Sequence, residues 1–122
     1  DHFHDYSEAS AGVPDYAWSV SDDAEFGFTV FPETPADADP SFKHSNENDL
    51  CADADANDPD GTNCWLGFPG AATPETIINR GTETTVDGQH EVVNFKAQLD
   101  IGGRVLAEDS YTATITATAT AN

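Results

Sequence analysis

At 122 residues the chain has room for one domain with a real hydrophobic core, and too little for two. It carries 23 acidic residues against four basic ones, for a formal charge of −19, so it lacks the clustered Lys and Arg that binding nucleic-acid phosphates requires. No apolar run approaches the roughly 20 residues that span a bilayer, and leucine occurs only at Leu50, Leu66, Leu99 and Leu106, which argues against a helical bundle.

The sequence begins with Asp1 and contains no methionine. The expectation drawn from this is an exported chain whose signal segment has been removed, located outside the cell or on its surface. Residues 1–14 are polar, hold His2 and His4, and close on Ala11-Gly12-Val13-Pro14. They are expected to form an extension or an edge-type donor strand, with residues 15–122 as a single β-domain. Alternating histidines near an amino terminus can capture copper or zinc weakly, but a mobile tail is the simpler expectation.

Tyr16, Trp18 and Val20 alternate with Ala17 and Ser19, a half-buried strand pattern that Ser21-Asp22-Asp23 turns. Phe26, Phe28 and Val30 then share one face, with Gly27, Thr29 and Phe31 on the other, which predicts a second strand. Residues 32–63 hold Pro32, Pro35, Pro40 and Pro59 among many Asp and Asn, so little regular sheet is expected there. Cys51 and Cys64 are the only cysteines. In an exported chain they are expected to form a disulfide, and closing a loop of that size is worth about 3 kcal/mol in the chain-entropy view.

Inside that loop Asp53, Asp55, Asn57, Asp58 and Asp60 are candidate calcium ligands, since hard oxygens at alternate positions suit Ca²⁺. The EF-hand pattern is not met. Asp58 holds the place of its turn glycine, and Cys64 the place of its closing glutamate. The competing reading is a solvated acidic turn held by the disulfide, on a surface adapted to salt.

Thr76-Ile77-Ile78 reads as a short strand. Asp87-Gly88 lies between Thr84-Thr85-Val86 and Gln89-His90-Glu91-Val92, the two-residue signal of a type I′ hairpin. Its second arm continues through Val93, Phe95, Ala97 and Leu99 on one face. From Tyr111 to Ala121 threonines alternate with small apolar residues, predicting a closing strand. Six or seven strands without a helix predict an all-β fold, an immunoglobulin-like β-sandwich of antiparallel strands with a long disulfide-pinned loop.

No G-x-S-x-G elbow, metal triad or phosphate-cradling loop is present, so no enzyme is expected. Trp18 and Trp65 could serve as sugar-stacking platforms, although aromatic residues on strands belong more often to the core.

The run Asp109-Ser110-Tyr111-Thr112-Ala113-Thr114-Ile115-Thr116-Ala117-Thr118-Ala119 resembles the closing strand of exported microbial Ig-like surface and pilus-type subunits. Cys64-Trp65, Ile77-Ile78-Asn79-Arg80, the Asp87-Gly88 turn and Val93-Asn94-Phe95-Lys96-Ala97 are similar to that group in order and spacing. The resemblance covers about residues 64–121. It implies a structural subunit of an extracellular filament or pilus, a homopolymer of this chain assembled by β-strand addition. Phe3 and Tyr6 of the amino-terminal segment, with Tyr111 and Ile115 of the closing strand, are the expected assembly residues. The alternative is a monomeric secreted module that binds calcium or carbohydrate.

Overall fold

The computed structural model describes residues 2–15, 18–19, 24–34, 37–42, 64–70, 72–99 and 110–120. Cys51, the acidic positions 53–60, Tyr16, Val20 and Gly102-Gly103 lie outside them. Among the described residues the regular elements are three strands and one short 3-10 helix, Pro40–Phe42. The strands are β1 (His4–Asp5), β2 (Ala24–Pro32) and β3 (Glu91–Leu99). The fold is therefore mostly β, as the alternation along the sequence predicts. Its sheet is mixed, however, where antiparallel pairing throughout was expected.

β2 is the centre of a sheet ordered β1-β2-β3. β3 runs antiparallel to it over nine residue pairs, from Ala24 opposite Leu99 to Pro32 opposite Glu91. β1 runs parallel, pairing His4 with Glu25 and Asp5 with Phe26. Tyr6 extends that edge, its N–H donating to the Phe26 carbonyl at 2.9 Å. Further along the same edge Leu66 takes over, exchanging two hydrogen bonds of 2.9 Å with Phe28. Trp65, one residue earlier, exchanges bonds of 2.8 and 2.9 Å with Asp15. The backbone groups of β2 thus find partners on both sides, as a buried strand requires.

Alternation along β2 divides the interior in two. Phe28 and Val30 point into an apolar cluster with Phe42, Cys64 and Leu66, against which Phe68, Ile77, Ile78 and Val93 pack. Ring centroids lie 5.0 Å apart for Phe28–Phe68 and 4.9 Å for Phe26–Phe68. Each such side chain contributes about 1.5–3 kcal/mol when fully removed from water. The opposite face holds Glu25 and Thr29, both fully buried, with Gly27 between them.

Three local expectations come out differently. The Asp87-Gly88 turn exists, with Gly88 N–H donating to the Thr85 carbonyl at 2.9 Å and Gly88 at φ 78°. The positive φ falls on Gly88 as the fourth residue of the turn, whereas a type I′ turn needs it at both central positions, here Val86 and Asp87. The flanking arms form no ladder with each other; the second one pairs instead with β2. Residues 76–78 contribute a single bridge, Ile78 to Ala38, in place of a strand. Residues 110–120 are exposed throughout, and residues 112–120 join no ladder among the described residues. β-propensity expresses packing against a neighbour more than a backbone preference. Alternating Thr and Ala bring little apolar area to recruit one.

Residues 37–39 are tied to 77–79 by backbone bonds from Asp39 N–H to the Ile77 carbonyl, 3.0 Å, and from Asn79 N–H to the Asp37 carbonyl, 2.8 Å. An ion pair of 3.2 Å between Arg80 and Asp37 adds to this. Glu91, close by, has its carboxyl pushed up by desolvation and by the charges of Asp37 and Glu33, an effect that Arg80 partly offsets.

Candidate functional site

The polar face of β2 carries an aromatic layer. Tyr6 is 2% exposed and stacks on Trp18 with centroids 4.3 Å apart. Trp18 meets Trp65 edge-on at 5.1 Å. Lys96 stands across the ladder from Gly27. The missing side chain at Gly27 leaves room for the rings, and the Lys96 ammonium lies 5.0 Å from the Trp18 ring centre and 5.5 Å from that of Trp65. Such cation–π contacts are worth about 0.5–2 kcal/mol each, rising as water is excluded. Trp65 is 8% exposed, so this ring lies inside the fold instead of offering a flat face to a sugar.

Asp15 locks the layer to the amino-terminal segment. The Tyr6 hydroxyl donates to Asp15 Oδ2 at 2.8 Å, and the Ala9 N–H donates to the same carboxylate at 3.0 Å. Burial, followed by this hydrogen bond, pushes the Tyr6 phenol well above the usual tyrosine range. The folded phenol therefore keeps its proton where an unfolded tyrosine, with a pKa of about 10, has lost it. Its contribution to stability is complete below about pH 10 and declines as pH rises further, by up to about 1.4 kcal/mol per pH unit. Urea unfolding between pH 9 and pH 11 should show this decline, and Tyr6→Phe should flatten it. An equally steep alkaline limb in the variant would show that Tyr6 is not its source.

A cleft of about 180 Å³ opens beside this layer, lined by Asp5, Tyr6, Glu8, Leu66, Phe68 and Glu75 among others. Glu8 Oε1 accepts the Gly67 N–H at 2.6 Å, joining two of the residues that line the cleft. Desolvation, with the nearby Asp39 charge, raises the Glu75 carboxyl. Among the described residues no group of three His, Cys, Asp or Glu could hold a metal ion. His2 and His4 stand with ring centroids 4.6 Å apart. The candidate calcium ligands Asp53, Asp55, Asn57, Asp58 and Asp60 fall outside the described residues.

The expected assembly residues separate into two groups. Tyr6 is committed to the interior, and the backbone on either side of it pairs with β2 and bonds to Asp15. Phe3 meets the Tyr111 ring edge-on, with centroids 5.4 Å apart. Ile115 is 45% exposed and Tyr111 38% exposed. Sequence reasoning passed over Phe95 and Leu99, which are 48% and 49% exposed at the edge of the sheet. Their alternation shows that they share one face with Val93 and Ala97; only the position of β3 at the end of the strand order reveals the exposure. Cys64 is buried, is not a free thiol and has φ 71°, a left-handed conformation uncommon for a non-glycine residue.

No family model, curated protein or solved structure matches this chain. Among the described residues no helix is long and apolar enough to cross a membrane.

Proposed function

We propose that this chain is a structural subunit of an extracellular filament or pilus, joined to further copies of itself by β-strand addition. One observation carries the reading. Residues 112–120 alternate like a strand and are exposed along their length, yet have no ladder partner among the described residues. A strand-like segment of this kind gains main-chain hydrogen bonds by joining another sheet. Residues 1–12, the segment expected to cross between copies, are engaged with their own sheet through His4, Asp5 and Tyr6. We therefore take 112–120 as the donor.

The same proposal includes an immunoglobulin-like sandwich completed by residues beyond the three described strands, with a Cys51–Cys64 disulfide pinning the acidic loop. Cys64 not being a free thiol supports that pairing, since the chain has only one other cysteine. The proposal assigns the chain no reaction. The carbohydrate-binding alternative loses support from the tryptophans, because Tyr6, Lys96 and the sheet already occupy the indoles.

Electron microscopy of the native protein, purified without refolding, tests the proposal. Regular filaments are the expected result. Single compact particles at high concentration would overturn it.

A further inference from the structure

We infer that the acceptor for residues 112–120 is the outer edge of β3 on a second copy of this chain, with Ala113 seated opposite Ala97. The inference rests on the filament reading above and specifies which surfaces meet.

β3 is the terminal strand of the sheet, and among the described residues nothing pairs with its outer edge. Exposed edges of this kind template the addition of another strand. β3 is nine residues long, and the alternation of the segment, from Tyr111 to Ala121, is long enough to match it.

Their side chains also correspond. On β3 one face presents Phe95, Ala97 and Leu99, and the other Asn94, Lys96 and Gln98. The segment presents Tyr111, Ala113 and Ile115 on one side, and Thr112, Thr114 and Thr116 on the other. Each apolar row is an aromatic, an alanine and a branched aliphatic residue at the same spacing. Seating Ala113 across from Ala97 brings the large residues together at both ends, whether the added strand runs parallel or antiparallel. It also places threonines beside the polar row. Phe95, Leu99 and Ile115, each about half exposed in the single chain, would be covered together.

Charge favours the same pair of surfaces. Two bodies of charge −19 repel wherever carboxylates face one another. Residues 110–120 carry no charged side chain, and β3 carries one of each sign, Glu91 and Lys96.

The geometry points to a neighbour in place of the chain's own sheet. In the single chain Tyr111 lies against Phe3, the residue before β1, so the segment departs from the β1 side, and on docking Tyr111 exchanges this contact for the neighbour's β3. The outer edge of β3 is at the other end of the sheet, two strand spacings or about 10 Å away. A donor at one edge and an acceptor at the opposite edge make a head-to-tail contact, which does not close on itself and yields a fibre.

Short thiol cross-linking tests the register. Chains carrying A97C and chains carrying A113C would be mixed, allowed to assemble and treated with a brief bifunctional maleimide, with the unsubstituted chain as control. The expected product is an A97C–A113C heterodimer. It should be roughly tenfold weaker when T114C replaces A113C, because successive side chains point to opposite faces. Ile115→Asp should abolish assembly while leaving the melting temperature of the single chain unchanged. Filaments without the heterodimer would overturn the β3 docking and leave the filament reading standing, whereas no filaments at all would overturn both. A link formed within the A97C/A113C double variant but not between mixed chains would overturn the second-copy assignment.

Discussion

Phe28→Ala is expected to lower the unfolding free energy by about 3–5 kcal/mol, the range for removing a fully buried aromatic ring. Phe28 is 5% exposed at the middle of the central strand. Its ring lies 5.8 Å from Phe42 and 5.0 Å from Phe68, measured between centroids. Its backbone holds Leu66 through two hydrogen bonds. The surrounding rings come from separated parts of the chain and cannot all move into the space, so a cavity remains. Urea unfolding should show the midpoint falling with little change in slope, because the surface exposed on unfolding is nearly the same. Phe95→Ala serves as the comparison: that ring is already 48% exposed and should cost well under half as much. Phe95 is the cross-strand partner of Phe28 on the same face, so equal losses at the two positions would contradict the burial of Phe28 at the centre of the sheet against the exposure of Phe95 at its edge.

Gly27→Val should destabilise by about 3 kcal/mol or more, at the upper end for overpacking. Two arguments compete over its sign. Valine is a better strand former than glycine, and on that ground alone the substitution could stabilise by up to about 1 kcal/mol. Packing decides otherwise. A Cβ at this position would lie 2.8 Å from the Leu66 carbonyl oxygen, 2.8 Å from the Tyr6 Cβ and 2.9 Å from Trp18. Two of these neighbours are backbone or backbone-proximal and cannot rotate away. Relieving the contact means separating the β1 edge or the Leu66 bridge from β2. The variant should therefore lose the Tyr6–Trp18 stack as well, which tryptophan fluorescence would report. A stabilised Gly27→Val protein would mean that the aromatic layer does not rest on this strand.

β2 was the most legible element in the sequence, because large apolar groups at Phe26, Phe28 and Val30 announce a buried face by their own alternation. β3 was legible as a strand but not in its pairing. Asp87-Gly88 suggested that its partner was the preceding arm, whereas the nine-pair ladder to β2 outweighs a local turn. The parallel β1 left almost no pattern, since two residues cannot show a period. The Tyr6–Asp15–Trp18–Trp65–Lys96 layer was hidden for another reason. Its members come from four separate stretches of the chain, and nothing in the local pattern around Lys96 shows that Gly27 stands across the ladder from it. The Thr/Ala segment shows the limit in the other direction. Alternation states which side chains share a face, and says nothing of what lies beside the strand.

The position of β2 between two hydrogen-bonded neighbours also sets an order of opening. Local fluctuations that release the backbone of β1 break a two-residue pairing and the adjoining Tyr6 bond, together with the Tyr6–Trp18 stack and the Asp15 bonds, and leave the nine-pair ladder of β2 with β3 intact. Residues 112–120 have no ladder to break among the described residues. The β2 amides that donate into the ladders are released only when the chain opens as a whole. Their exchange with solvent hydrogen would thus report the global unfolding free energy, while the edges exchange through smaller openings. The protein carries its own slowest clock in its middle strand, with faster ones toward either side.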